Sequence, residues 1–468
     1  MEQIKITPED TIAAISTPNG IGGVAIIRIS GNEALSILKG AWEGADLLNV
    51  PSHTVHLGRY VGIEGNLIDE CVATIFRAPK SFTGEDVVEL GVHGSSWIQK
   101  EILADLVRRG ARIAEPGEFT KRAFLNGKLD LAQAEGVADL IAASSKAAHN
   151  MAINQTRGKF SQEFRNLREK LIEFASLLEL ELDFAEEEVE FADRAALSRL
   201  LREILTKVNS LADSYHKGAV LKNGVPVVIA GVPNAGKSSL LNLLLNDDKA
   251  IVTDIPGTTR DTIEDTVEID GVLFRFIDTA GLRETSDTVE SIGVDRAWKI
   301  LSKASVVIWL FDPTQNTTSQ IDSFTRFIKE NPEKPIIILI NKSDLTDTET
   351  LGSFIRTLYP YVSSNRVFPF STHTKQGLSQ LEKLLVELAV DDTDLERDIL
   401  VTNARHYQAL MKSSQALTLA LQALKEGIPS DLVAQDIREA TAHLSTITGE
   451  ITTDNLLHSI FSRFCIGK

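Results

Sequence analysis

Residues Gly231 to Ser238 read Gly-Val-Pro-Asn-Ala-Gly-Lys-Ser, and that spacing can cradle a polyphosphate. An apolar run, Val225 to Ala230, precedes the loop, and a helix is expected from Ser239 to Leu245. Strand, glycine-rich loop and helix in that order let backbone N–H groups and a helix N-terminus face negative charge. Asn234, Ala235, Gly236, Lys237, Ser238 and Ser239 are the candidate phosphate contacts. Lys237 can reach the β- and γ-phosphates, and the Ser238 hydroxyl can ligate Mg²⁺. The plain alternative is a turn glycine pair ahead of a core helix.

Two downstream strings narrow the nucleotide to GTP. After an expected strand, Leu273 to Ile277, comes Asp278-Thr279-Ala280-Gly281. Asp278 can hold the Mg²⁺ shell, and the Gly281 N–H can meet a γ-phosphate. A second apolar run, Ile336 to Ile340, ends in Asn341-Lys342-Ser343-Asp344. The Asp344 carboxylate can accept from guanine N1 and its 2-amino group. Adenine lacks that donor pair and would leave the acceptor unpaired. Together the three strings imply a GTPase domain. In Ras-like GTPases a Gln after Asp-x-x-Gly orients the attacking water; here Leu282 stands there and cannot. Asn234 is the candidate substitute, its amide oxygen ligating a monovalent cation, or else it simply supports the loop turn. Residues Ala250 to Thr262 lie where a first switch belongs and offer Thr258 and Thr259 beside Gly257. One of these hydroxyls is placed to reach Mg²⁺; an ordinary surface loop is the other reading.

Length and composition set the frame for these motifs. A chain of 468 residues is expected to form two to four domains. Two cysteines, Cys71 and Cys465, provide no disulfide framework and suit a reducing cytosol. No signal peptide or membrane-length apolar run is seen, so a membrane partner is not expected. The net charge of −17 (48 basic minus 65 acidic residues) disfavours a wholly basic nucleic-acid binder, though a local basic patch is compatible with RNA. The acidic run Glu186 to Glu190 reads as a solvated helix end.

Along the chain, residues 1 to about 125 mix short strands (Val24 to Ile29, Val72 to Phe76) with a helix, Trp97 to Arg109. From Leu129 to Lys222 the pattern is long amphipathic helix, with Leu167, Leu171, Phe174, Leu178 and Leu182 at spacings of three and four. The GTPase segment then runs from 223 to 388 and closes with a strand, Val367 to Phe370, and a helix from Leu378. Helical periodicity resumes after the acidic stretch Asp391 to Asp398. Gly20, Gly22 and Gly23 follow no strand in a βαβ setting, which excludes a dinucleotide fingerprint. The string Phe464-Cys465-Ile466-Gly467-Lys468 fits a prenylation signal poorly. It is either a structural or frayed tail, or a cysteine and lysine delivered into a site.

The loop with Asn234, the string Asp278 to Glu284 and the Phe464 to Lys468 tail resemble the MnmE/TrmE family of tRNA-modifying GTPases. So do Ser81-Phe82-Thr83-Gly84-Glu85-Asp86, Pro116-Gly117-Glu118-Phe119 and Arg122-Ala123-Phe124-Leu125-Asn126 with its continuation Lys128 to Glu135. The resemblance implies a multidomain α/β plus all-α fold. Its parts are an N-terminal α+β folate-binding and dimerisation domain (1–125), a central helical domain in two pieces (126–222 and 389–468), and an inserted Ras-like P-loop GTPase domain (223–388). It implies a homodimer in the cytoplasm that acts on tRNA wobble uridine 34. A 5-formyl-tetrahydrofolate or methylene-tetrahydrofolate would donate one carbon, and an FAD-dependent partner protein would join in a heterotetramer.

By position the resemblance assigns folate contacts to Arg28, Glu89, Lys128 and Lys468. Folate carboxylates suit Arg or Lys, and pterin N–H donors suit a carboxylate. Taken singly, Arg28 is a strand-edge charge and Lys128 a solvated helix residue. The resemblance assigns K⁺ to Asn234, Thr253, Ile255 and Thr258, and Mg²⁺ to Ser238 and Thr259. It makes Glu290 the water-orienting carboxylate and counts Lys237, Arg283 and Cys465 with the catalytic groups. Nucleotide contacts would come from Thr253, Thr258, Thr259, Asp278, Gly281, Asn341, Lys342, Asp344 and Ser371. One departure is Ser371-Thr372-His373 in place of a Ser-Ala-Lys-like guanine loop. A ribosome-assembly switch GTPase would share the motifs from Gly231 to Asp344 without needing Arg28, Glu89, Lys128 or the tail. A membrane-remodelling GTPase would need a lipid-facing segment that the sequence lacks.

Overall fold

The computed structural model describes residues 10–18, 20–183, 194–245, 264–277, 304–390 and 399–467. The acidic runs 186–190 and 391–398 lie outside them. The chain divides into two compact units. One comprises Met1–Ala138, Gln155–Ile204 and Lys412–Lys468; the other comprises Asp139–Asn154 and Leu205–Met411.

The first unit is built on strands β1 (Ile12–Ile15), β2 (Val24–Ser30), β3 (Trp42–Gly44), β4 (Thr54–Val61), β5 (Leu67–Phe76), β6 (Val87–His93) and β7 (Arg112–Ile113). They form one sheet in the order β3-β4-β5-β6-β2-β1-β7, antiparallel except for the β1–β7 pair. Period-two alternation decides which side chains reach the core. Ala25, Ile27 and Ile29 of β2 and Val88, Leu90 and Val92 of β6 are buried. They pack with Ile102 and Leu106 of α1 (Ser96–Arg108). The same alternation sends Arg28 and Glu89 to the opposite face, and the register sets them directly across from each other.

The expected long helix is interrupted. After α2 (Glu118–Leu125), it is α3 (Leu131–Ala142), α4 (Lys146–Thr156), α5 (Lys159–Asp183) and α6 (Arg194–Asn223). Gly158, at φ +79°, turns the chain ahead of α5 in a region of backbone space where glycine is unstrained. Leu167, Leu171, Phe174 and Leu178 are all buried, as their spacing requires. Further along the chain come α11 (Ala404–Glu426), α12 (Ser430–Thr448) and α13 (Asp454–Phe461). Helix α12 lies along α5, tied by Arg168 to Ser445 Oγ (3.0 Å) and to Glu450 (2.6 Å). Leu131 and Ala134 of α3 pack with Leu457, Ile460 and Phe461 of α13. Helices far apart in sequence thus share a core, which periodicity alone left open.

The second unit carries β8 (Val225–Gly231), α7 (Lys237–Leu245), β9 (Glu264–Ile269), β10 (Val272–Ile277), β11 (Val306–Phe311), α8 (Thr317–Glu330), β12 (Ile336–Ile340), α9 (Thr348–Leu358), β13 (Val367–Pro369) and α10 (Leu378–Val390). Its sheet runs β13-β12-β11-β8-β10-β9, parallel except for the β9–β10 pair at one edge. Both faces are covered. Val227 and Ile229 meet α7 and α10 on one side, and Val228, Ala230 and Phe311 meet α8 and α9 on the other. Burial on both faces explains why these strands read as unbroken apolar runs. In such a sheet, ligands bind outside the carboxyl ends of the strands.

Candidate functional site

At that carboxyl edge, β8 ends at Gly231 and α7 begins at Lys237. The phosphate loop between them turns through Asn234, whose φ of +61° is a conformation Asn tolerates better than most residues. Its carboxamide is exposed and makes no hydrogen bond among the described residues. The turn therefore uses the backbone of Asn234 and leaves its amide oxygen available to a cation. The Lys237 ammonium donates to the carbonyls of Gly231 (3.0 Å) and Val232 (2.8 Å). Ser238 and Ser239 occupy the exposed first turn of α7.

Asn341 is buried and joins two loops. Its Nδ2 donates to the Ala235 carbonyl (2.7 Å), and its Oδ1 accepts from the Thr372 N–H (3.2 Å). Gly236 is required beneath it: at φ +98°, any Cβ would collide with Asn341 Nδ2. Asp344 is exposed, and the Ser371 hydroxyl donates to its Oδ1 (2.6 Å). That hydroxyl, above all, holds the Asp344 carboxyl below the usual carboxylate range, so the acceptor pair is ionised. Ser371 Oγ also accepts from the Thr374 N–H (3.1 Å), and the Ser343 N–H donates to the Phe370 carbonyl (3.1 Å). The loop is held through Ser371 and a backbone N–H. For that reason Thr372 and His373 can replace Ala and Lys without cost to its geometry.

Asp312 was not signalled by any motif. It follows β11 and is fully buried. Its Oδ2 accepts from Lys342 Nζ (2.6 Å) and Gln315 Nε2 (2.7 Å), and its Oδ1 accepts from Thr314 N (3.0 Å) and Oγ1 (2.6 Å). Burial pushes the Asp312 carboxyl up, but the Lys342 ammonium and the Thr314 and Gln315 donors more than offset it, and the group stays below the usual range. Lys342, itself at φ +58°, is thereby fixed across the guanine loop. An Asp312→Asn variant is expected to bind GTP and GDP about 10- to 100-fold more weakly, since one charge-assisted bond contributes ~1.5–3 kcal/mol. Fluorescent-nucleotide titration measures this, and equal loss for both nucleotides marks a base-side effect.

The first unit holds a second cluster. Arg28 Nε donates to Glu89 Oε1 (2.8 Å), and its Nη2 lies 2.7 Å from the same oxygen. The guanidinium sits 5.6 Å from the Phe82 ring centroid and 5.5 Å from that of Phe119. Arg28 Nη1 (3.4 Å) and Ser16 Oγ (3.0 Å) both donate to the Gly467 carbonyl, and the Gly117 N–H donates to the Cys465 carbonyl (3.4 Å). The tail is thus held rather than frayed, and Cys465 is exposed. Gly467, at φ +91°, has its Cα against the Ile15 carbonyl, where a Cβ would collide. Lys128 Nζ donates to the Pro79 carbonyl (2.9 Å) at the Phe82 loop. Sequence reading named Arg28 and Glu89 but not Ser16, Phe82 or Phe119 as their neighbours. Thr253, Ile255, Thr258, Thr259, Asp278, Gly281, Arg283, Glu290 and Lys468 lie outside the described residues.

A family model described as GTP-binding protein TrmE N-terminus matches residues 11–128, and one described as MnmE helical domain matches residues 131–465. A tRNA modification GTPase MnmE from Cytophaga hutchinsonii is 48 % identical over 459 residues, covering 98 % of each chain. One from Bacteroides thetaiotaomicron is 47 % identical over 469 residues, covering 98 % of this chain and all of its own. Among solved structures, a variant of Aquifex aeolicus Era bound to GDP·AlF4⁻ aligns with 42 % of this chain and 67 % of its own, at 27 % identity and a TM-score of 0.29.

Proposed function

We propose, for a chain that belongs to the MnmE family of tRNA modification GTPases, that it hydrolyses GTP in the course of modifying tRNA. One observation carries the nucleotide half of this reading. Asn341 ties the phosphate loop to the guanine loop, and Asp344 presents an ionised carboxylate beside them. Ser238 and Thr259 would hold Mg²⁺, and Asn234, Thr253, Ile255 and Thr258 would hold K⁺. These ions supply positive charge against the phosphates. Lys237 neutralises the β- and γ-phosphates, Glu290 orients the attacking water, and Arg283, seven residues before it in sequence, is counted with the catalytic groups.

The Arg28–Glu89 cluster supports a tetrahydrofolate site. Glu89 offers an acceptor for pterin N–H donors, while Arg28, Lys128 and Lys468 offer cations for carboxylates. The Phe82 and Phe119 rings lie against the Arg28 guanidinium. In this reading the chain works in the cytoplasm as a homodimer with an FAD-dependent partner, and wobble uridine 34 receives a carboxymethylaminomethyl group. Cys465 stands exposed at the same cluster.

The test is mass analysis of tRNA nucleosides from cells lacking the protein. Loss of the wobble-uridine modification is expected. Restoration is expected from the full chain and not from one ending at Phe464. Unchanged wobble uridines would move the chain to a ribosome-assembly role.

A further inference from the structure

A pocket of about 440 Å³ opens in the second unit between the ends of α8 and α9 and the first residues of β12 and β13. Its lining includes Lys334, Tyr359, Tyr361 and Arg366, and none of its lining residues is acidic. The volume falls within the range of small-ligand sites, roughly 300–1,000 Å³.

Three observations make the pocket more than a surface dent. Arg366 is half-buried, and its guanidinium has no hydrogen-bond or ion-pair partner among the described residues. A second cation stands with it: Lys334 donates to the Ala304 carbonyl (2.5 Å), and burial pushes its pKa down. Tyr359 and Tyr361 are 47 % and 40 % exposed, and neither hydroxyl has a partner among the described residues. Tyr361 is braced from behind by Phe324, at 6.1 Å and 79°. Glu333, the neighbouring acid in sequence, is exposed and does not line the pocket.

A guanidinium without a protein partner beside exposed tyrosines is how proteins hold single-stranded nucleic acid, with phosphate on Arg or Lys and bases stacked on rings. On a chain of net charge −17, such a place for RNA must be local. We propose that this pocket binds a nucleotide unit of the RNA substrate, its phosphate on Arg366 with Lys334 adding positive charge, and its base on Tyr359 or Tyr361. The proposal rests on tRNA being the substrate. The pocket lies at the amino ends of β12 and β13, whereas the nucleotide loops lie at the carboxyl ends. The five residues Ile336–Ile340 separate the two by ~13 Å of strand. Occupancy of one therefore leaves the other accessible.

The experiment uses the full chain and an unmodified tRNA transcript with uridine at position 34, with affinity measured across a salt series. Arg366→Gln is expected to weaken binding about tenfold and to flatten the slope of log affinity against log salt by roughly 0.7–0.9, the signature of one lost phosphate contact. Tyr359→Leu is expected to weaken binding about 5- to 100-fold with the slope unchanged. GTP hydrolysis without tRNA is expected to be unaltered in both. If the wild type binds and both variants match it in affinity and slope, the pocket is not an RNA site. The same holds if Arg366→Gln lowers only the melting temperature, because Arg366 then serves the fold alone. A wild type that binds no tRNA at any salt overturns the substrate reading and the pocket together.

Discussion

GTP turnover is expected to fall on the order of 10³-fold when K⁺ is replaced by Na⁺ at equal ionic strength. Where an arginine finger supplies the transition-state charge, it is worth about 10³ to 10⁵ in rate. This chain has Leu282 where a water-orienting Gln would stand, so another group has to place the water, and the transition-state charge needs a cation of its own. Asn234 holds the loop turn with its backbone and leaves its carboxamide unengaged among the described residues. An alkali ion held there would add fixed charge where negative charge develops on the phosphates. Asn234→Ala measured in K⁺ is expected to fall to the wild-type Na⁺ rate, and to show no further loss in Na⁺. Equal wild-type rates in the two salts would remove the role given to Asn234.

Asp344→Asn is expected to lower GTP affinity by about 10²- to 10⁴-fold and to create acceptance of xanthosine triphosphate. The carboxylate matches two guanine donors, each charge-assisted bond contributing ~1.5–3 kcal/mol. An Asn side chain replaces one acceptor with an N–H donor, which opposes the guanine amino group and fits the xanthine carbonyl. Ser371 can still donate to the remaining oxygen, so the loop keeps its form. Competition titration with both triphosphates reads the exchange of preference. A variant that loses GTP without gaining the xanthine nucleotide would mean that the loop collapsed, and that Asp344 acts on structure rather than on the base.

The strands of the second unit were legible because burial on both faces writes them as unbroken apolar runs. Ile336–Ile340 falls where expected, and the helix after the phosphate loop begins two residues early, at Lys237. The interruptions between Leu129 and Lys222 were not legible. Apolar spacing continues across Gly158, since α4 on one side of the turn buries Ala148, Met151 and Ala152 and α5 on the other buries Phe160 and Phe164. Strand β4 escaped notice because Val55 and Leu57 are exposed on its outer side, which blurs the alternation. Asp312 carried no signal, because a lone acid after a strand gains meaning only from Lys342, thirty residues on. The seat of the tail depends on contacts with Ser16 and Arg28 more than 400 residues away, and no local pattern records those. Arg28 and Glu89 were found through resemblance; the register that pairs them belongs to the sheet.

The Asn341 carboxamide clamps the Ala235 carbonyl and the Thr372 N–H at once. Neither of its two grips points at a terminal phosphate. A fresh nucleotide and a spent one must therefore feel the same embrace from the base-reading side. Whatever tells them apart, and so sets the clock of the cycle, has to arise at the opposite end of the ligand.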